Sequence, residues 1–237
     1  MASSPDYKES PPVLSLRRRM LKLIKLRLVA AGVRAHAVRF GPARGLRLYA
    51  DSAHKSQRIF GLEEREIAAI FQSAVARSNS LVDVGASDGY YTIWASVVHP
   101  SIVCVACDPV VGFREAFERN AALNHVNLSN IRWEPRLVGS QFSRLDGLLE
   151  GLPDPVCIKI DVDGAEMDVL ESGRHQLDRR DATLIVETHA PELERDVLQF
   201  LTGLGFRCQV IKNAWWRMLI PELRPIPHNR WLLASRS

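Results

Sequence analysis

The stretch Leu81-Val82-Asp83-Val84-Gly85-Ala86-Ser87-Asp88-Gly89-Tyr90-Tyr91-Thr92 constrains this chain most. It opens as a short apolar run interrupted only by Asp83, the pattern of a buried strand. Gly85 and Gly89 then punctuate the chain, and Tyr91-Thr92-Ile93-Trp94-Ala95 reads as a helix start. Strand, glycine-marked turn and helix start are how an open α/β sheet holds a nucleotide-like ligand. Glycine lets ligand and backbone approach closely, and N–H groups at the helix start face an anionic group. The Gly-x-x-x-Gly spacing differs from the Gly-x-Gly-x-x-Gly of pyrophosphate binders, which argues against NAD. Asp83, two residues before the first glycine, is placed to face a positive group.

From residue 81 onward strands and helices alternate. Strands are expected at 81–84, 102–107, 131–133, 156–160, 183–186, 206–211 and 230–234. Helices are expected at 63–75, 90–98, 112–124, 142–149, 165–177 and 191–204, the last with Pro191 in its first turn. Such alternation gives a parallel sheet with helices on both faces. No helix is expected between the last two strands, so the final strand should run antiparallel. Residues 39–49 alternate weakly around Gly41-Pro42 and Gly45, as a short hairpin or an irregular arm.

Charge divides the chain. Residues 1–60 hold 13 Lys+Arg against 3 Asp+Glu, and the remainder 18 against 24. The basic excess therefore belongs to an N-terminal extension, 1–60, and not to the domain at 61–237. This argues against a nucleic-acid-binding surface on that domain. Residues 13–31 form a basic amphipathic pattern. One reading is an interfacial helix on an anionic membrane; the other packs the apolar side on the main domain and leaves the charges in water. No apolar run reaches the ~18–20 residues of a membrane span, and Asp6 and Glu9 argue against a signal peptide. The expected location is cytoplasmic, with the first reading of 13–31 adding contact with the inner membrane face. Cys104 and Cys107 have C-x-x-C spacing within a strand. Three residues apart, they point to opposite faces and read as core residues rather than metal ligands.

Ligands of such sheets bind beyond the carboxyl ends of the strands. The second strand ends in Asp108, about twenty residues past the glycine turn and placed for two ribose hydroxyls. An N-cap for the next helix is the alternative. Lys159 and Asp161 lie two apart at the end of the 156–160 strand, and so share a face. Glu187 and His189 do the same at the end of the next strand. On neighbouring strands the four residues would form one polar cluster, where a substrate hydroxyl is oriented and deprotonated, or where ion pairs tie strands to helix starts. A lesser reading has oxygens of Asp161, Asp163 and Glu187 holding Mg²⁺. Trp215-Trp216 lines an acceptor pocket or packs as an ordinary aromatic pair.

Leu81–Thr92, then Arg144-Leu145-Asp146 with Ile158 to Glu166, then Leu184 to His189, occur in the order of three motifs. In them the chain resembles an S-adenosylmethionine-dependent methyltransferase of the FkbM type, from about Glu63 onward. Ser87 stands where that family more often has Asn, and Asp163 where it more often has Glu. The resemblance implies a Rossmann-like class I methyltransferase with a seven-stranded, mostly parallel sheet and an antiparallel last strand. It implies S-adenosyl-L-methionine as cofactor and transfer of its methyl group to a hydroxyl of a small molecule or glycan, such as a sugar, polyketide or glycolipid. Asp83 would then balance the methionine amino group, Gly85, Ser87 and Gly89 would shape the turn around it, and Asp108 would hold the ribose. His189 or Asp161 would take the hydroxyl proton, with Lys159 and Glu187 fixing that pair. His189 is favoured as the base near neutral pH. The alternative function is a catalytically silent binding module of the same fold, joined to a membrane or partner by its basic N-terminal helix.

Overall fold

The computed structural model describes residues 32–52, 55–213 and 228–236. The amphipathic pattern at 13–31 and the pair Trp215-Trp216 lie outside them. The first elements are an antiparallel hairpin, β1 (Val33–Ala37) and β2 (Arg47–Asp51). The weakly alternating stretch falls mostly on its turn, so its first strand lies earlier than the sequence suggests. A four-residue helix, α1 (Ser56–Ile59), leads to α2 (Arg65–Ala76).

The regular alternation then begins: β3 (Ser80–Val84), α3 (Tyr90–Val98), β4 (Val103–Cys107), α4 (Phe113–Leu123), β5 (Ile131–Glu134), α5 (Leu145–Leu149) and β6 (Val156–Ile160). After them come α6 (Glu166–Ser172), α7 (Arg174–Leu177), β7 (Ala182–Thr188), α8 (Pro191–Gly203), β8 (Arg207–Ile211) and β9 (Arg230–Ser235). The single helix expected over 165–177 is broken at Gly173, where a Cβ would meet Leu145 Cδ2 at 2.6 Å. Glycine there lets α5 approach.

The main sheet has seven strands in the order β5-β4-β3-β6-β7-β9-β8. All neighbours are parallel except β9, which enters between β7 and β8 and is antiparallel to both. The order reverses between β3 and β6, the switch point where such sheets take their ligands.

Strand periodicity sends alternate residues to two cores. Val82, Val84, Cys107, Ile158, Ile160 and Val186 pack under α5, α6 and α8. Leu81, Cys104, Cys157, Ile185 and Trp231 pack under α2, α3 and α4. Cys104 and Cys107 thus lie on opposite faces, as their spacing requires, and both are free thiols. Val38, Leu46 and Leu48 from the hairpin belong to the second core. The boundary at residue 60 is therefore a change in charge, not a division between cores. Among the described residues no helix is long and apolar enough to cross a membrane.

Candidate active site

The glycine turn connects β3 to α3. Gly85, Ser87 and Gly89 have φ of 82°, 49° and 83°, the left-handed region. The structure gives the two glycines an internal reason. A Cβ on Gly85 would lie 1.9 Å from the carbonyl oxygen of Asp161, and one on Gly89 would lie 2.2 Å from Phe117 Cδ2. They let the β3 turn close on the β6 end and let α3 pack on α4. Within 83–89 only Gly85 and Ser87 are partly exposed.

At the end of β4, Asp108 is buried and reaches the turn. Its Oδ2 accepts from Ser87 N–H at 2.9 Å and its Oδ1 from Val110 N–H at 2.9 Å. It does not cap α4, whose N-cap is Gly112. The other acid of the turn, Asp88, is held from outside the sheet. Arg58 Nη1 lies 2.7 Å from its Oδ1 and Lys55 Nζ 2.8 Å from its Oδ2, and Arg58 also stacks over the Tyr90 ring. Burial opposes the Asp88 charge, yet Arg58 and Lys55 hold its pKa below the ordinary carboxylate value.

Asp83 has no access to a ligand. It is fully buried, with Thr92 Oγ1 donating to its Oδ2 at 2.8 Å and Lys159 Nζ 3.6 Å from its Oδ1. The direct contact with a methionine amino group expected from the sequence is corrected accordingly. The positive group Asp83 faces is the Lys159 ammonium on the neighbouring strand. Lys159 lies 4.9 Å over the Tyr91 ring and 5.8 Å from that of Trp231. Burial works against its charge, but Asp161, Asp83, Glu64 and Glu187 together raise its pKa above the ordinary lysine value.

Lys159, Asp161, Glu187 and His189 do meet at the ends of β6 and β7. Lys159 Nζ is 3.4 Å from Asp161 Oδ2. His189 Nδ1 lies 2.5 Å from Glu166 Oε1, and its Nε2 lies 3.4 Å from Glu187 Oε2, 3.4 Å from Asp163 Oδ1 and 4.0 Å from Asp161 Oδ1. Burial disfavours the imidazolium, but the hydrogen bond to Glu166 and the nearby Glu187 carboxylate outweigh it and push the His189 pKa up to about 10. With only a proton to balance these carboxylates, the ring is charged near neutral pH. The argument that chose His189 as a neutral base is thereby corrected: four carboxylates surround it. Glu187 is itself pushed up to about 8, chiefly by burial.

Two participants were not among the expected site residues. Glu64, the N-cap of α2, accepts a hydrogen bond from the Tyr91 hydroxyl. Burial and the nearby Asp161 raise its pKa to about 7. Glu166 opens α6 and is fully buried. Its place in Asp163-Gly164-Ala165-Glu166 fits an ordinary acidic first turn; it closes the Ile158 to Glu166 motif, but spacing alone does not pair it with His189.

A reversed sheet order at β3/β6, a glycine turn on one side of it and a charged cluster on the other define a Rossmann-like class I methyltransferase fold. Residues 141–208, which contain Lys159, Asp161, Glu166, Glu187 and His189, match the family described as the methyltransferase FkbM domain. Over those residues the chain resembles the FkbM type. Similar solved structures include methyltransferase FkbM from Methylobacillus flagellatus KT, at 14% identity, TM-score 0.54, over 77% of this chain and 66% of that one. Another is the O-methyltransferase TomG from Streptomyces achromogenes, involved in tomaymycin synthesis and solved with SAM. It has 14% identity and TM-score 0.51, over 72% of this chain and 81% of that one. At these identities the likeness is one of fold. No curated protein matches the sequence.

Proposed function

We propose that the protein is an S-adenosylmethionine-dependent O-methyltransferase that acts on a hydroxyl of a small molecule or glycan. The observation that carries this reading is the meeting of two half-sites at one switch point. One is the glycine turn with Asp108 at the β4 end; the other is the charged cluster at the β6 and β7 ends.

S-adenosylmethionine, when bound, supplies a methyl group already activated on a sulfonium, which leaves the protein to bind, orient and manage one proton. The residues fit such a group. Gly85 and Ser87 are the partly open positions of the turn. Each Asp108 oxygen accepts one backbone N–H and retains acceptor capacity for a ribose hydroxyl. Gly85, Ser87 and Gly89 shape the turn, and Asp83 acts one layer below it by holding Lys159. An acceptor hydroxyl over β6 and β7 meets Asp161, whose carboxylate receives its proton while Lys159 and His189 balance the charge and Glu187 helps fix the pair.

The test is calorimetric binding of S-adenosylmethionine and S-adenosylhomocysteine to the wild type, Asp108→Ala and Asp108→Asn, followed by an acceptor screen of hydroxylated sugars, lipids and polyketides. Binding that drops sharply in both variants supports the reading. A folded wild type that binds neither compound overturns it and favours the silent binding module.

A further inference from the structure

The ends of β6 and β7 bring together one imidazole nitrogen and two carboxylate groups. His189 Nε2 is 3.4 Å from Glu187 Oε2 and 4.0 Å from Asp161 Oδ1. One ligand atom from each of the three residues lies within 4.8 Å of the others. The two His189 separations are long for hydrogen bonds; the 3.4 Å one already suits atoms that share a cation, and the 4.0 Å one needs to close by a few tenths of an ångström. Bonds of about 2.0–2.2 Å at tetrahedral or octahedral angles put adjacent ligand atoms roughly 3–3.6 Å apart.

Burial supplies an independent observation. Glu187 is 2% exposed, and its Oε2 is buried without a hydrogen bond, as is His189 Nε2. A polar atom left so in the interior is costly, and the two atoms face each other at 3.4 Å without a hydrogen bond. The surroundings aim both groups. Glu166 Oε1, 2.5 Å from Nδ1, fixes the far side of the ring, the carboxylate–histidine arrangement that stands behind metal-bound imidazoles. Lys159 occupies Asp161 Oδ2, which turns Oδ1 toward Nε2.

We propose that Asp161, Glu187 and His189 bind one divalent cation, with Glu166 as a positioning residue. A mixed set of one imidazole and two carboxylates suits Mn²⁺ or Zn²⁺ better than Mg²⁺, which prefers oxygen alone. The site differs from the Mg²⁺ reading of the sequence in that His189 replaces Asp163, whose side chain is 69% exposed. The role of the ion, polarising the acceptor hydroxyl and easing loss of its proton, rests on the methyl-transfer reading; its binding does not.

The experiment titrates Mn²⁺ into chelator-treated full-length protein without cofactor, by calorimetry and electron paramagnetic resonance. The expected result is one Mn²⁺ per chain, displaced by Zn²⁺, with nitrogen coupling from an imidazole in the pulsed spectrum. Glu187→Gln and His189→Ala should each weaken uptake at least tenfold. Glu166→Gln should weaken it by about 10–100-fold and retain the nitrogen coupling. Folded wild type that takes up neither ion at millimolar concentration overturns the proposal, as does Mn²⁺ uptake without nitrogen coupling or unchanged in both ligand variants. The coupling is read on the wild type, so a variant that fails to fold does not blunt the test. Calorimetry with S-adenosylmethionine separates the two readings: cation uptake without cofactor binding removes methyl transfer alone, and the reverse removes the cation alone.

Discussion

Lys159 and Asp83 are register partners across β6 and β3, with Nζ 3.6 Å from Oδ1 and both side chains sealed from solvent. The pair lies directly beneath the mouth of the site and links its halves, because Asp83 precedes the glycine turn and Lys159 precedes Asp161. Breaking a buried pair by removing one partner leaves an uncompensated charge, at about 3–5 kcal/mol. Lys159→Met should therefore lower unfolding free energy by that order in urea titration. Asp83→Asn combined with Lys159→Met should recover part of it, since the orphaned charge is gone. Equal stability of the single and double variants would contradict the pairing.

Gly85 and Gly45 give a matched comparison. Both have positive φ, at 82° and 94°, so alanine at either carries backbone strain of about 1–2 kcal/mol. At Gly45 a Cβ meets nothing within 4 Å, whereas at Gly85 it strikes the Asp161 carbonyl. Gly85→Ala should cost a further roughly 1–3 kcal/mol of overpacking and weaken cofactor binding. Gly45→Ala should show the strain alone and bind normally. Thermal melts with calorimetry on the two variants read the difference.

The acid limb of stability should report on Asp88. Its folded pKa is depressed by Arg58 and Lys55 against the opposing effect of burial. The stabilisation is thus fully present above the unfolded pKa of about 3.9 and is lost as pH falls through the lower folded value. Asp88→Asn should be less stable than wild type at neutral pH, and the gap should narrow below that window. A gap that stays constant down the acid limb would show that the ion pairs contribute no linkage.

The parts that could be read from sequence are those where local pattern and burial agree. β3, β4, β6 and β7 are buried along their length, so they appear as short apolar runs, and the helices between them carry apolar stripes. The spacing of two in Lys159/Asp161 and Glu187/His189 sufficed to bring those four together once β6 and β7 proved to be neighbours. What escaped was set by distant packing. β9 enters between β7 and β8 through pairing that no local pattern encodes. β1 is largely exposed and has no burial alternation to betray it. The Asp83–Lys159 match depends on register. Glu64 and Arg58 reach the site only because the segment before β3 folds over the turn.

A buried amide helps fasten that segment. Asn120, 1% exposed on α4, accepts from Tyr49 N–H at 2.8 Å and donates to the Asp88 carbonyl at 3.0 Å. It thus joins β2 to the glycine turn. Asn120→Ala strands both backbone groups, and leaving buried polar groups unsatisfied costs about 1–3 kcal/mol each. Asn124, which accepts from Arg47 N–H and donates to Arg47 O, is more exposed, so water can replace it and Asn124→Ala should cost far less. Hydrogen exchange should separate them: Asn120→Ala should lose protection at Tyr49 and across 85–89 together, and its cofactor affinity should fall with them. Loss confined to Tyr49 would mean that the hairpin packs on the turn without supporting it.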